Sequence, residues 1–299
     1  MANKSRGHEI KNRKYGKHEQ GAPQPARFRH SKKLGQNFLR DGETIDRIIE
    51  GSGVGKHTAV LEIGPGAGAL TERLAEVAGR VIAVEIDERL VGELKVRFAF
   101  DENVSVVHGD ILKVDVSELL SEALREDGIE EAVVIGNLPY YITTPIIMKL
   151  VEGEVPARSL TVMMQKEVAE RLIADPGTKK CGAITYAVHY RCRVAKICDV
   201  DKSCFYPVPK VDSEVIRMDF RDEKAVEAPD EELFFTCIKA GFAMRRKTIL
   251  NALSAMNGYD KETISEALER AGIRPEKRAE EIDLAGFAEL TRVLTEDKE

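Results

Sequence analysis

Short apolar runs and longer stretches with helical periodicity alternate along most of this 299-residue chain. Short apolar runs are typical of buried strands, whereas apolar residues at three- and four-residue spacing are typical of helices that face a core. The runs predict strands at 58–63, 80–86, 104–107, 132–135, 160–164, 194–200 and 214–220. The periodic stretches predict a helix that starts near 44 and helices at 69–78, 88–98, 144–151 and 166–173, while 184–188 fits either element.

The pattern changes after residue 220, and this change predicts a domain boundary. Residues 221–230 are charged and contain Pro229, and the later segments have helical periodicity, at 231–242, 245–256, 261–271 and 284–294. Residues 1–30 are polar and basic and show no sustained periodicity, which is typical of a flexible segment. We therefore divide the chain into a basic flexible arm at 1–30, a larger domain at 31–222 and a helical domain at 223–299.

Composition narrows the class of protein. A hydrophobic content of 43% supports a folded core. No apolar run reaches the ~18 residues that span a bilayer, and the N-terminus has no apolar signal region, so we expect neither a membrane segment nor a secretory signal. An odd number of cysteines without a CxxC pair predicts free thiols in a reducing cytosol, at Cys181, Cys192, Cys198, Cys204 and Cys237. A zinc site is the alternative, but the cysteine spacing matches no usual ligand set, so we expect no metal.

The net charge of −6 hides a strong asymmetry. Residues 1–33 contain ten Lys or Arg and two Glu, a net charge of +8, so the remainder carries −14. A basic arm commonly binds nucleic acid, and this is the interpretation that we adopt. The alternative is a solvated tail without a partner.

A glycine-rich corner follows the first long strand and suggests a cofactor site. The strand at 58–63 runs into Gly64, Gly66 and Gly68, where the backbone can turn tightly and approach a bound molecule. Glu85 ends the next strand 21 positions after Gly64, near the distance at which an acidic residue binds a ribose diol in Rossmann-like sites. The corner predicts an adenosine-type cofactor. A nicotinamide cofactor stays open because the glycines also fit G-x-G-x-x-A, and a turn without a ligand is the other alternative.

Polar side chains near this corner are further candidates for the cofactor. Asp110 follows the strand at 104–107 and is placed to bond an exocyclic amine of adenine, although a helix cap is an alternative role for it. Gln36 and Asn37 carry amides that can fix the polar ends of a small ligand, although an ordinary loop would also contain them.

The most specific segment is Asn137-Leu138-Pro139-Tyr140, directly after the strand at 132–135. Asn, an apolar residue, Pro and Tyr at the carboxyl end of a strand are typical of amino-group methyltransferases. The Asn137 oxygen and a carbonyl near Leu138 can accept both N–H bonds of an adenine amine, which aims its lone pair at a methyl group. Pro139 stiffens the turn, and Tyr140 offers a face for stacking worth about 1–3 kcal/mol. A rigid turn with a core tyrosine is the alternative.

Two later segments add candidates. Phe205 precedes a loop fixed by two prolines and is a candidate second aromatic that closes on the base opposite Tyr140; an apolar plug in the core is the alternative. Lys210 is a candidate phosphate contact or a solvated lysine. The cluster at 245–247, near the start of a predicted helix, suits a phosphate backbone, with a solvated helix face as the alternative.

Together these motifs resemble the ribosomal RNA adenine N6,N6-dimethyltransferase family, in an archaeal-type form. The resemblance covers roughly residues 32–255 and rests on six pieces and one basic cluster: Leu34-Gly35-Gln36-Asn37-Phe38-Leu39, Glu62-Ile63-Gly64-Pro65-Gly66, Glu85-Ile86-Asp87, Gly109-Asp110, Asn137-Leu138-Pro139-Tyr140-Tyr141-Ile142, the segment 205–213, and Arg245-Arg246-Lys247-Thr248. A dehydrogenase would not explain the Asn-Leu-Pro-Tyr turn. DNA adenine enzymes favour Asn-Pro-Pro-Tyr, and the erythromycin-resistance enzymes, which act on large-subunit RNA, are close relatives.

The resemblance implies a class I S-adenosylmethionine-dependent methyltransferase fold, Rossmann-like, with a mostly parallel seven-stranded sheet and a small all-helical C-terminal domain that binds RNA. It implies S-adenosylmethionine as methyl donor and dimethylation of two adjacent adenosines near the 3′ end of small-subunit (16S) rRNA. The expected setting is a pre-30S particle in the cytoplasm, with a monomeric enzyme. The implied cofactor contacts are Asn37, Leu39, Gly64, Glu85, Asp110 and Asn137, and the implied adenine contacts are Asn137, Leu138, Pro139, Tyr140 and Phe205.

Two alternatives to this function stay open at the level of sequence. One is a non-catalytic RNA-binding factor in ribosome assembly that keeps the pocket as a relic. The other is an adenine-N6 methyltransferase that acts on another nucleic acid.

Overall fold

A seven-stranded sheet forms the centre of the protein in a computed structural model that describes residues 36–296. The basic arm predicted at 1–30 lies outside the described residues. The strand order in the sheet is β4-β3-β2-β5-β6-β9-β7, and β9 alone runs antiparallel to its neighbours. These strands are β2 (Thr58–Ile63), β3 (Arg80–Glu85), β4 (Val104–His108), β5 (Glu131–Asn137), β6 (Ser159–Gln165), β7 (Cys192–Val200) and β9 (Ser213–Phe220). A separate two-stranded ladder pairs β1 (Phe38–Leu39) with β8 (Phe205–Tyr206).

Helices cover both faces of the sheet, which explains why its central strands read as continuous apolar runs. In β2, Leu61 packs into the hydrophobic cluster on one face and Val60 into the cluster on the other. The helices of this part are α1 (Gly42–Ser52), α2 (Ala69–Val77), α3 (Glu88–Arg97), α4 (Val116–Ala123), α5 (Thr143–Glu152), α6 (Lys166–Ile173) and α7 (Ala183–Arg191). The predicted mostly parallel sheet is therefore confirmed.

The C-terminal part is helical as predicted, with one boundary corrected. Its helices are α8 (Glu231–Ala243), α9 (Ile249–Leu253), α10 (Lys261–Arg270) and α11 (Leu284–Glu296). The predicted helix at 245–256 begins only at Ile249, because the Thr248 hydroxyl accepts the N–H of Asn251 as an N-cap. The basic cluster at 245–247 therefore lies in the loop before α9.

Helix α7 joins the two parts of the chain. Its Val188 packs into a cluster under the sheet, whereas Tyr186 and Tyr190 pack among the C-terminal helices. The Tyr186 hydroxyl also bonds the carbonyl of Ile282, and burial raises its pKa. Because α7 contributes to both clusters, they do not mark the position of the boundary between 222 and 223, which stays a prediction.

Candidate functional site

One cavity opens at the carboxyl ends of β2, β3, β4 and β5. Its empty space, including the open mouth, is about 1150 Å³, which exceeds the roughly 300 Å³ at the lower end of ligand sites. The cavity brings together all the predicted cofactor residues, namely Asn37, Leu39, Gly64, Glu85, Asp110 and Asn137. It also brings together Leu138, Pro139 and Tyr140 from the predicted adenine site.

The glycine corner forms the floor of this cavity. Gly66 has a φ of 57°, in the left-handed region where a side chain adds strain. A Cβ on Gly66 would lie 2.8 Å from Cδ1 of Phe38, so the ring packs directly on the bare backbone. Phe38 is a site residue that the sequence did not reveal, because its contact with Gly66 depends on the tertiary fold.

Glu85 is held by the corner and faces the same cavity. Its Oε2 accepts the N–H of Gly66 at 3.1 Å, and its Oε1 accepts those of Ile86 and Asp87 at 3.0 and 2.9 Å. Burial raises the pKa of Glu85, while these hydrogen bonds favour the charged form. Because a carboxylate has about four acceptor positions, Glu85 keeps capacity for a hydroxyl of a ribose.

Glu62 is a second acidic residue in the cavity, and we did not select it from the sequence. It is 2% exposed, and burial raises its pKa to about 7. The Thr71 hydroxyl donates to Glu62 Oε2 at 2.6 Å. A glutamate within an otherwise apolar strand is the signal that could have identified it. The carboxyl is thus partly protonated near neutral pH and can donate or accept a hydrogen bond.

The Asn137 amide is oriented by the segment before α1. Its Nδ2 donates to the carbonyl of Asn37 at 3.0 Å. Within residues 36–296 no hydrogen bond reaches Asn137 Oδ1, so the oxygen is the atom left to accept a donor from a ligand. A reversed amide would place two acceptors against each other, which the bond to Asn37 excludes.

The turn after Asn137 is fixed at three points. The Leu138 N–H donates to the Met163 carbonyl at 3.0 Å, and the Thr143 hydroxyl donates to the Pro139 carbonyl at 3.0 Å. The Tyr140 hydroxyl bonds Ser213 Oγ at 2.8 Å, and burial raises the pKa of Tyr140. Ser213 is fully buried and was not selected from the sequence. Tyr140 is therefore held at the cavity by a bond at the far end of its ring.

Residues 36–39, here called the strap, cross the cavity and connect its parts. Gln36 Nε2 donates to Asp87 Oδ2 at 3.3 Å, and the Asn37 carbonyl accepts the Asn137 amide. Phe38 and Leu39 pair with Tyr206 and Phe205 in the two-stranded ladder. The strap thus ties the glycine corner to the Asn137 turn.

The predicted position of Phe205 requires a correction. Phe205 is 3% exposed, packs into the hydrophobic cluster with Ile45 and Ile48, and is not among the residues that line the cavity. Pairing with Leu39 directs both side chains into the core, so Phe205 takes the alternative role of an apolar plug. Asp110 lines the cavity, and its Oδ1 accepts the N–H of Leu112 at 3.0 Å; the cap of α4 is Asp115 instead.

The structure also bears on the cysteines, on membrane-spanning helices and on metal-binding groups. None of the cysteines forms a disulfide, and all but the partly exposed Cys204 are buried. Between residues 36 and 296 no helix is long and apolar enough to cross a membrane. Over the same range no group of three or more His, Cys, Asp or Glu side chains is arranged to hold a metal.

Comparison with known proteins assigns the chain to a family. The family model described as ribosomal RNA adenine dimethylase matches residues 27–296. The proteins called ribosomal RNA small subunit methyltransferase A from Bacillus mycoides (strain KBAB4) and Bacillus cereus (strain AH187) are each 45% identical over 270 residues, which cover 89% of this chain and 92% of the relative. These relatives are bacterial, and the archaeal-type form stays a prediction.

Two solved structures share the fold over most of its length. A dimethyladenosine transferase from Plasmodium falciparum matches with a TM-score of 0.73 and 26% identity, over 87% of this chain and 98% of that one. The 23S rRNA methyltransferase ErmE matches with a TM-score of 0.66 and 28% identity, over 86% and 99%. The predicted methyltransferase fold class is confirmed. Since the family model spans nearly the whole described chain and the relatives cover it at this identity, the chain belongs to the ribosomal RNA adenine dimethylase family.

Proposed function

We propose that this protein transfers methyl groups from S-adenosylmethionine to N6 of two adjacent adenosines near the 3′ end of small-subunit (16S) rRNA. The proposal rests on one observation above all, the orientation of the Asn137 amide at the end of β5. The family description as a ribosomal RNA adenine dimethylase supports adenosines of ribosomal RNA as the substrate class, and so do relatives named as a small subunit methyltransferase and a dimethyladenosine transferase. The proposed setting is a pre-30S particle in the cytoplasm, and the proposed enzyme is a monomer.

The residues of the cavity fit the proposed methyl donor. Gly64 and Gly66 have no Cβ to fill the floor of the cavity, and Glu85 retains acceptor capacity for ribose hydroxyls. Asp110 keeps its second carboxylate oxygen for an amine on the adenine edge. When bound, S-adenosylmethionine supplies an electrophilic methyl group on its sulfonium. Asn37 and Leu39 of the strap would cover it.

The Asn137 turn prepares the nucleophile. An adenine amine is a weak nucleophile because its lone pair is delocalised into the ring. Asn137 Oδ1 accepts one of its N–H bonds, and a backbone carbonyl of the turn near Leu138 accepts the other, which favours a tetrahedral nitrogen with its lone pair directed to the methyl group. Pro139 keeps the turn rigid, and the ring of Tyr140 stacks on the base. No strong general base is required, because the nitrogen becomes cationic and acidic once it is methylated and can release its proton to water. Transfer would leave the methyl donor as the neutral thioether S-adenosylhomocysteine.

The outer parts of the chain would hold the RNA. The arm at 1–30 and the helical domain at 223–299 are the proposed RNA-binding parts. In the loop before α9, Arg245 pairs with Glu280 at 3.1 Å, while Arg246 and Lys247 are exposed and suited to phosphates.

The test uses labelled S-adenosylmethionine, purified small subunits and mapping of the modified adenosines. We expect two adjacent dimethylated adenosines with the wild-type protein. The Asn137→Ala variant should lose at least about 100-fold in methylation, far more than it loses in affinity for S-adenosylmethionine, whereas the control Glu102→Ala, at an exposed position before β4 and away from the cavity, should match the wild type. Equal methylation by Asn137→Ala would refute the assigned role. Subunit binding without any methyl transfer by the wild type would favour the assembly-factor alternative.

A further inference from the structure

The two-stranded ladder places one arginine and one tyrosine beside the mouth of the cavity. Phe38 pairs with Tyr206 and Leu39 pairs with Phe205, so the two pairs face opposite sides of the ladder. Leu39 and Phe205 pack against the hydrophobic cluster, although Leu39 also reaches the cavity. Phe38 lies on Gly66 within the cavity, and Tyr206 is 46% exposed. Tyr206 therefore lies on the cavity side of the ladder, next to the strap.

Arg40 follows the strap and stacks on this tyrosine. Its backbone N–H donates to the Cys204 carbonyl at 2.9 Å, which continues the ladder by one bond. Its guanidinium carbon lies 4.1 Å from the centre of the Tyr206 ring. This separation is within the range of a favourable cation–π contact. The side chain is thus held in one place although Arg40 is exposed.

The charge of Arg40 is not neutralised by a carboxylate within residues 36–296. Two other exposed arginines in the same half of the chain are paired in this way: Arg97 with Glu72 at 2.6 Å, and Arg73 with Asp46 at 2.8 Å. An arginine without an acidic partner, fixed beside a cavity, retains its N–H groups for an anion. Its position has a simple explanation if an anionic ligand passes this edge of the cavity.

We propose that Arg40, held by Tyr206, binds the backbone phosphate of a nucleotide adjacent to the adenosine in the cavity. This inference rests on the proposed function, because only a base drawn from an RNA strand leaves its neighbouring phosphates at the rim. The planar guanidinium can donate two parallel N–H bonds to one phosphate. Stacking on the ring fixes the plane of that fork before the RNA arrives, which lowers the entropy lost on binding.

The arrangement also assigns different roles to the two residues. Arg40 contacts the RNA, and Tyr206 is a positioning residue that acts through Arg40. Lysine would keep the charge at position 40 but would lose both the fork and the stack. The pair therefore sets how a strand lies across the mouth, and hence which adenosine enters it.

The experiment measures binding of unmethylated small ribosomal subunits to full-length variants at several KCl concentrations, with S-adenosylmethionine affinity measured separately. Arg40→Gln should weaken subunit binding about 10- to 100-fold and reduce the slope of log K against log salt by about 0.7, the value for one phosphate of a single strand. Tyr206→Leu should weaken binding about threefold or more on its own and add little to Arg40→Gln, because both changes remove the same contact.

The matched control is Arg125→Gln, which removes an exposed arginine before β5, at the amino ends of the strands and so on the side of the sheet opposite the cavity. It should leave both the affinity and the salt slope unchanged. The inference is overturned if Arg40→Gln behaves like this control. It is also overturned if Arg40→Gln weakens S-adenosylmethionine binding and leaves the salt slope unchanged, since the pair would then only hold the strap. A wild-type protein that shows the Arg40-dependent slope but transfers no methyl group would refute the proposed function and leave this contact in place.

Discussion

The hydrogen bond between Tyr140 and Ser213 allows the ring and the hydroxyl of the tyrosine to be tested separately. The two oxygens lie 2.8 Å apart, and Ser213 is fully buried. Tyr140→Phe keeps the ring but leaves the serine hydroxyl without its partner, which should lower the free energy of unfolding by about 1–3 kcal/mol. Adding Ser213→Ala removes the unpaired group, so the double variant should recover most of that loss.

The same variants separate stability from catalysis. Because Tyr140→Phe retains the stacking face, we expect its kcat/KM for small subunits to remain within a few-fold of the wild type. Tyr140→Ala removes the face, and a loss of about 1–3 kcal/mol of stacking corresponds to a fall of about 5- to 150-fold in kcat/KM.

Denaturant unfolding gives the free energies, and transfer of labelled methyl groups to subunits gives the kinetics. The stacking role would be refuted if folded Tyr140→Phe lost as much activity as Tyr140→Ala, since the hydroxyl would then take part in the chemistry. The role of the buried bond would be refuted if the double variant were less stable than Tyr140→Phe.

Three further predictions concern other parts of the molecule. Burial raises the pKa of Glu62 from 4.5 to about 7 in the native state, so between these pH values the native protein holds a proton that the unfolded chain has released. The contribution of Glu62 to the free energy of unfolding therefore falls as the pH rises from about 4.5 to 7. In urea unfolding, Glu62→Gln should be more stable than the wild type by about 3 kcal/mol at pH 8 and equal to it at pH 4. Gly66→Ala should lower stability by about 1–2 kcal/mol through backbone strain and weaken S-adenosylmethionine binding in calorimetry, because the added Cβ meets Phe38. Deletion of residues 1–30 should weaken subunit binding and flatten its salt dependence.

Each of these predictions has a result that would contradict it. A pH-independent difference between Glu62→Gln and the wild type would show that the carboxyl does not titrate as described. Wild-type affinity of Gly66→Ala for S-adenosylmethionine would mean that the bare backbone is not needed at this position. An unchanged salt slope after deletion of the arm would show that its charges do not contact the RNA.

Strands and helices with a clear apolar pattern could be predicted from the sequence, whereas the helix α7 could not be distinguished from a strand. The strand at 58–63 and the helix at 166–173 have the predicted bounds, because the apolar pattern of each begins and ends where the element does. Residues 184–188 fitted either element because α7 buries Val188 under the sheet and Tyr186 among the C-terminal helices. A helix buried on both sides loses the polar face that creates periodicity.

The site could be predicted where it follows strand ends, and less well where it depends on distant contacts. Asn137, Glu85 and Asp110 come to one cavity because parallel strands end at the same edge of the sheet. The burial of Phe205 and the bond from Ser213 depend on segments far away in the chain, to which local patterns are insensitive.

The ladder between β1 and β8 has a consequence for synthesis of the protein. Its strands lie near the two ends of the larger domain, and the strap also needs Asn137. While the polypeptide emerges from the ribosome, the cavity therefore has no closing strand opposite Phe38 until Tyr206 has been translated. A nascent chain should be unable to retain the methyl donor until nearly the whole larger domain has left the exit tunnel.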